Sequence, residues 1–211
     1  MRTSTKIGKL LLATTNAGKA KEIQSYLEDL PIEILTLKEI RIESVHPEEG
    51  KTFLENARGK SLFYSLQSRY LTLAEDSGLE VNRLNGAPGV FSARFSGPKA
   101  TDKKNNQKVL SLMKGVPFPE RRARFVCCLV LCQKGKIIKE ITGNARGYIA
   151  GQEKGTHGFG YDPIFFYPPL NKTFAELPPQ EKNKVSHRGR ALKKIKAFLN
   201  IYFSSQESRL R

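Results

Sequence analysis

Leu71-Thr-Leu-Ala-Glu-Asp-Ser-Gly78 is the stretch around which the rest of the chain is organised. Alternating, β-favouring residues run straight into adjacent carboxylates, Glu75 and Asp76, then a hydroxyl, Ser77, and a glycine. Carboxylates at the end of a buried strand are costly unless compensated, and the usual compensators are a metal ion or a catalytic proton. The chain continues into a second strand-like run, Leu79-Glu-Val-Asn-Arg-Leu84, so the acidic pair is expected on a turn between strands. A plain polar turn would look the same in isolation. The neighbouring segments decide between the two.

Upstream, Lys9-Leu-Leu-Leu-Ala13 has the character of a buried strand, and residues 20–30 form an amphipathic pattern with Ile23, Leu27 and Leu30 as its apolar stripe. Between them lies Thr14-Thr-Asn-Ala-Gly-Lys19. Hydroxyls, an amide, a glycine and a lysine at a helix start outline an anion site, because backbone N–H groups and the helix dipole favour phosphate. The spacing is not that of a Walker A loop, and an ordinary capped helix is the plainer alternative. Residues 31–37 make a second strand candidate. Thr52 and Glu55 fit a capping box, so a helix is expected from there to about Gln67, carrying Lys60. Glu48 and Glu49 precede it on a loop, where acids either complement the helix dipole or await a cation.

Downstream, residues 101–114 are expected to be helical with Val109, Leu112 and Met113 inward, and residues 123–131 and 137–149 to be strands joined by Lys134-Gly-Lys136. Gly155-Thr-His-Gly-Phe-Gly-Tyr-Asp-Pro163 is a glycine-rich loop before a strand at 164–167. Its glycines permit close backbone approach, and Phe159 and Tyr161 offer ring faces to a flat base. Pro168-Pro169 and Pro178-Pro179 bracket a rigid loop, and Ser186 caps a final helix to about Phe203 with Leu192, Ile195 and Leu199 inside. Strands and helices interleave, which makes the class α/β with a mixed sheet.

A chain of 211 residues with 39% hydrophobic and 27% charged residues is long enough for a substantial core and has a globular composition. No apolar run reaches the roughly 18 residues of a membrane helix, and Met1-Arg-Thr-Ser-Thr-Lys-Ile-Gly8 has no signal-peptide pattern. Cys127, Cys128 and Cys132 share one apolar segment, as reduced core thiols of a cytoplasmic protein would. His46, His157 and His187 show no zinc spacing. The excess of 36 Lys+Arg over 20 Asp+Glu suits a polyanion, either nucleic acid or a nucleoside triphosphate. Only Lys193-Lys194-Ile-Lys196 and Arg209-Leu-Arg211 are clustered, and no basic arm or nucleic-acid motif accompanies them. A basic nucleic-acid-binding protein without catalysis is the rival reading.

Six separated segments resemble the inosine/xanthosine triphosphate pyrophosphatase family, which includes the dITP/XTP pyrophosphatases: Thr14-Thr-Asn-Ala-Gly-Lys19, Thr52-Phe-Leu-Glu-Asn-Ala57, Glu75-Asp-Ser-Gly78, Gly86-Ala-Pro-Gly89 with Ser92-Ala-Arg-Phe95, Gly158-Phe-Gly-Tyr-Asp-Pro163 and Ser186-His-Arg-Gly189. The resemblance implies a single domain over residues 1–211, elongated and two-lobed, with a long central mixed β-sheet flanked by helices and a cleft between the lobes. It also implies a cytoplasmic homodimer with no stable nucleic-acid partner and no membrane attachment. The expected activity is hydrolysis of ITP, dITP and XTP to the monophosphate and pyrophosphate, with Mg²⁺ as cofactor. The family's triphosphate loop falls on Thr14, Thr15, Asn16, Ala17, Gly18 and Lys19. Its metal glutamate falls on Glu48 and not Glu49, and its catalytic aspartate on Asp76, which also serves the metal, with Ser77 touching substrate. Base-binding residues match Phe159, Gly160, Tyr161 and Asp162, and further substrate contacts match Lys182, His187 and Arg188. Charge considerations add Lys60 beside the phosphates and make Asp76 or Glu75 the proton acceptor. Many relatives carry Asp-Asp-Ser-Gly where this chain has Glu75-Asp76.

Overall fold

The computed structural model describes residues 8–209, with side chains through 205. Residues 1–7 and the side chains of the basic cluster at 209–211 lie outside it. Strand β1, Gly8–Ala13, has Leu10 through Ala13 fully buried, as a parallel strand covered on both faces requires. Helix α1, Ala17–Leu27, starts at Asn16, whose Oδ1 accepts the Lys19 N–H at 3.0 Å, and buries Ile23 and Leu27. It leads to β2, Ile32–Thr36, which pairs parallel with β1 in the register Leu11 to Leu35. Helix α2, Phe53–Leu66, begins at Thr52, whose Oγ1 accepts the Glu55 N–H at 3.1 Å. The Glu55 carboxylate takes the Lys51 N–H instead of reaching back to Thr52, so the expected capping box is shifted by one residue on that side.

Strand β3, Leu71–Val81, corrects the sequence reading: no turn interrupts it at Glu75–Asp76. It lies on the other side of β1 from β2, parallel to it, and the paired register ends with Ala13 opposite Ala74. Glu75 and Asp76 therefore run past the carboxyl end of β1. Their polar groups are met by the 14–19 loop and by α2, while buried Leu79 and Val81 carry the strand onward. Because β1 connects to β2 on one side and β3 lies on the other, this end is a topological switch point, the usual place for ligands in an open parallel sheet.

The remaining strands are β4, Arg122–Gln133, β5, Lys136–Ile149, β6, Phe165–Tyr167, and β7, Lys172–Thr173. The seven-stranded order is β2-β1-β3-β4-β5-β6-β7, parallel at β1 and antiparallel from β5 to β7, a mixed sheet as expected. Lys134 and Gly135 both have positive φ, 49° and 73°, which suits the tight turn between β4 and β5. All three cysteines on β4 are buried thiols outside any disulfide.

Helix α3, Asp102–Leu112, turns Asn105, Asn106, Val109 and Met113 inward, but Leu112 is 50% exposed, contrary to expectation. The buried stripe follows the four-residue step from Asn105 through Val109 to Met113, which leaves Leu112 on the outer face. A short helix α4, Pro179–Val185, follows the proline-bracketed segment and is not expected from the sequence; Pro179 stands at its first position, where proline costs no hydrogen bond. Helix α5, His187–Arg209, runs beyond the expected end at Phe203, with Leu192, Ile195 and Leu199 buried.

The described residues group into two compact units. The first holds residues 8–76, Cys128–Thr142 and 191–209, with a core cluster that includes Leu11, Ala13, Leu35, Tyr64 and Ala74. The second holds Ser77–Cys127 and Gly143–Arg190, and its core centres on Phe125, Phe165 and Phe174. Within the second unit, buried Arg121 donates to the carbonyls of Ile149 (2.7 Å), Ala150 (2.8 Å), Met113 (2.9 Å) and Val116 (3.4 Å). Burial pushes its guanidinium below the ordinary arginine value.

Candidate active site

In the first unit, α1, α2 and β3 bring charged side chains to the carboxyl end of β1. Lys60, in the second turn of α2, places its ammonium 2.8 Å from Glu48 Oε1 and 3.3 Å from Asp76 Oδ1. Lys19, in the first turn of α1, lies 3.7 Å from Glu75 Oε1 and 3.9 Å from Asp76 Oδ1. Glu75, Asp76 and Lys60 are 1%, 6% and 8% exposed. Glu48 thus joins the cluster, whereas Glu49 is exposed to solvent. The loop itself is ordered by Asn16, whose N–H donates to Thr14 Oγ1 at 3.2 Å, and the first turn of α1 carries no acidic residue to repel an anion.

Burial lifts the Asp76 carboxyl above its ordinary range, and Lys60 and Lys19 pull it back only in part. Burial pulls the Lys60 ammonium down, but Asp76 and Glu48 outweigh it, so that cation is held charged above the usual lysine value. The result is a buried carboxylate poised to accept a proton between two cations. The donor set is all hard oxygen. Among the described residues no three His, Cys, Asp or Glu side chains form a closed metal site. Mg²⁺, however, takes only one or two carboxylates and completes its shell with water and phosphate. Glu48 and Asp76, both against one ammonium, fit that requirement.

Sequence reasoning assigns no role to Asn56, which α2 places at the centre of this cluster. Its Nδ2 donates to Asp76 Oδ2 at 3.0 Å, and its Oδ1 accepts the Gly50 N–H at 2.7 Å. One amide thus fixes the Asp76 carboxylate and the loop that carries Glu48. Tyr64 holds the same loop, donating to Ser44 O at 3.2 Å and accepting from the His46 N–H at 3.3 Å. The only sequence signal for Asn56 is its place inside the quoted Thr52 to Ala57 segment.

In the second unit, residues 158–162 and the start of α5 form another cluster. Asp162 Oδ2 accepts from Lys182 Nζ at 2.6 Å and from the Phe159 N–H at 3.0 Å. The Lys182 ammonium and the Arg188 guanidinium each lie 5.2 Å from the Phe159 ring centroid. Arg188 also donates to Ser77 Oγ at 3.1 Å. Ser186 caps α5 through the Gly189 N–H at 3.0 Å. His187 and Arg188 are each 3% exposed, so the Ser186-His-Arg188 segment is no surface cap. His187 stacks on Phe125 with ring centroids 4.4 Å apart. Tyr161 is packed in the core with its hydroxyl donating to Ser92 O at 2.8 Å, which leaves Phe159 as the ring flanked by cations. Gly158 has φ +75°, and a Cβ there would run into the Asp162 carboxylate.

Comparison with known proteins places these clusters in a wider group. A curated protein from Clostridium perfringens named dITP/XTP pyrophosphatase is 47% identical over 196 residues, covering 89% of this chain and 95% of that one. One of the same name from Desulforamulus reducens is 44% identical over 199 residues, covering 94% and 99%. The solved structure of a HAM1 protein from Coxiella burnetii superposes with a TM-score of 0.83 at 40% identity, covering 90% of this chain and 98% of that one. The family model described as "Ham1 family" matches residues 10–198, a span that includes both clusters, and the chain belongs to that family.

Proposed function

We propose that this protein hydrolyses deaminated purine nucleoside triphosphates, ITP, dITP and XTP, to the monophosphate and pyrophosphate. The observation that carries the reading is the cluster at the carboxyl end of β1, where a raised Asp76 carboxyl lies against Lys60 and Lys19 beside the start of α1. The names of the relatives support it. The triphosphate takes the backbone of residues 14–18 and the ammonium of Lys19, because a helix start and a point charge favour phosphate. Lys60 stabilises charge on the phosphate oxygens. Asp76, whose burial raises its basicity, accepts the proton of the attacking water, with Glu75 as the neighbouring carboxylate. Glu48 and Asp76 would hold Mg²⁺, which when bound would neutralise phosphate charge and polarise the phosphorus.

The base is assigned to the second-unit cluster. Phe159, backed by Gly160, Tyr161 and Asp162, supplies a ring face, and Lys182, His187 and Arg188 supply donors for a purine 6-oxo group. Adenine would set a donor against these donors, and a mispaired buried polar group costs about 1–3 kcal/mol. Ser77 holds the Arg188 guanidinium. The protein acts on the cytoplasmic nucleotide pool as a homodimer. Buried thiols outside any disulfide suit a reducing compartment, and among the described residues no helix is long and apolar enough to cross a membrane.

A substrate panel tests the function. ITP, dITP and XTP should each yield pyrophosphate and monophosphate, with ATP slower by about 10²-fold. Release of orthophosphate, or equal rates on ATP, would refute it.

A further inference from the structure

The 158–162 loop is gripped by α3 as well as by Asp162 and Lys182. The Gly160 N–H donates to Asp102 Oδ2 at 2.7 Å, and the Gly160 carbonyl accepts from Asn106 Nδ2 at 3.1 Å. Asp102 and Asn106 are four residues apart in the first turns of α3, on one helical face, so their side chains bracket a single residue. Gly160 has φ +63°, a conformation few residues adopt, and its neighbour Phe159 has its own N–H fixed by Asp162. Buried Asn106 leaves its Oδ1 without a hydrogen-bond partner. Asn105 extends the grip, donating to Ser92 O at 3.3 Å and accepting from the Ser96 N–H at 2.8 Å, and Ser92 O is also the acceptor for Tyr161.

We infer that Asp102 and Asn106 are positioning residues for base selection: they clamp the backbone of Gly160 and so fix the Phe159 ring against Lys182 and Arg188. This rests on the assignment of the base to that loop. The clamp bears on how the base is held, whereas the proton transfer is assigned to Asp76. Asn106→Asp keeps the shape of the side chain but replaces the donor facing the Gly160 carbonyl with an acceptor. Asp102→Asn keeps an acceptor for the Gly160 N–H and is the conservative control.

Steady-state kinetics on ITP, GTP and ATP tests the inference. Asn106→Asp and Asp102→Ala should raise KM for ITP and lower the ITP preference by about tenfold, roughly the worth of a lost hydrogen bond, with kcat within about twofold. Asp102→Asn should restore both to within about twofold of the parent. Variants that lose kcat while keeping the parent's selectivity would show that the contacts only stabilise the fold, and the clamp would be wrong. A parent enzyme that releases no pyrophosphate from ITP overturns the function itself, and the base-selecting role with it.

Discussion

Asp76→Asn separates the chemistry of the site from its electrostatics. Asp76 offers two oxygens, one to Asn56 Nδ2 at 3.0 Å and one to Lys60 Nζ at 3.3 Å. An amide has only one oxygen, so the substituted side chain loses one of these acceptors. At an effective dielectric constant of about 20, the lost attraction to Lys60 is roughly 5 kcal/mol gross. Removing a charge from a site this buried recovers several kcal/mol of desolvation, which is of the same size. Lys60 also keeps Glu48 at 2.8 Å. The sign follows from linkage. The folded pKa of Asp76 lies above its ordinary 3.8, so its contribution is fully present below that value and is lost as pH rises through the folded pKa. At neutral pH the charge therefore costs stability, and Asp76→Asn should hold or gain relative to the parent, more at pH 7 than near pH 4. Turnover should fall by about 10²–10⁴-fold or more, since the proposed proton acceptor is gone. Pyrophosphate release from ITP and urea unfolding at both pH values are the assays. A variant that keeps more than about a tenth of kcat, or that loses several kcal/mol at pH 7, would refute the reasoning.

Excess chelator should abolish turnover and Mg²⁺ should restore it ahead of Ca²⁺, because the cluster supplies few, hard oxygens; full activity in chelator would remove the metal role of Glu48 and Asp76. Glu49→Gln should change kcat by less than about twofold while Glu48→Gln costs about 10²-fold or more, since Glu48 is the member on Lys60; the reverse order would mean the register is off by one. His187→Ala should lower stability by about 2 kcal/mol by opening space beside Phe125, whereas Arg188→Gln should chiefly erode the ITP preference, as read by unfolding and by kcat/KM ratios.

The parts legible in the sequence are those set by near neighbours. β1 is a short apolar run, α2 is announced by Thr52, and α1 by the apolar positions Ile23 and Leu27, although it spans Ala17–Leu27 and not the expected 20–30 because Asn16 caps it earlier. The choice of Glu48 over Glu49 comes from the family resemblance, counted back from Thr52-Phe53. What escapes depends on partners far away in the chain. β3 continues past the end of β1 at Ala74 because its other hydrogen-bonded neighbour is β4, far along the chain, which no pattern within residues 71–84 reveals. Polar residues at a helix start ordinarily face water, so the burial of His187 and Arg188 shows only once Phe125, Phe159 and Ser77 are in place. Asn56, Asp102 and Asn106 are invisible for the same reason, with partners 20, 58 and 54 residues away.

Arg121 carries a consequence for the order in which the chain folds. Its guanidinium bonds to carbonyls at Met113 and Val116 just upstream and at Ile149 and Ala150, separated from it by 28 and 29 residues. The nearer pair can form as soon as the turn after α3 closes. The farther pair needs the whole β4–β5 excursion to return, and the entropy of closing that loop must be met before those bonds exist. Until then a permanent cation waits at a position that is buried in the finished protein, so water stays there and the second unit cannot dry its core. Burial of Arg121 is thus a late event, and Arg121→Lys, with a point charge in place of the fork, should speed unfolding more than it slows folding in stopped-flow measurements.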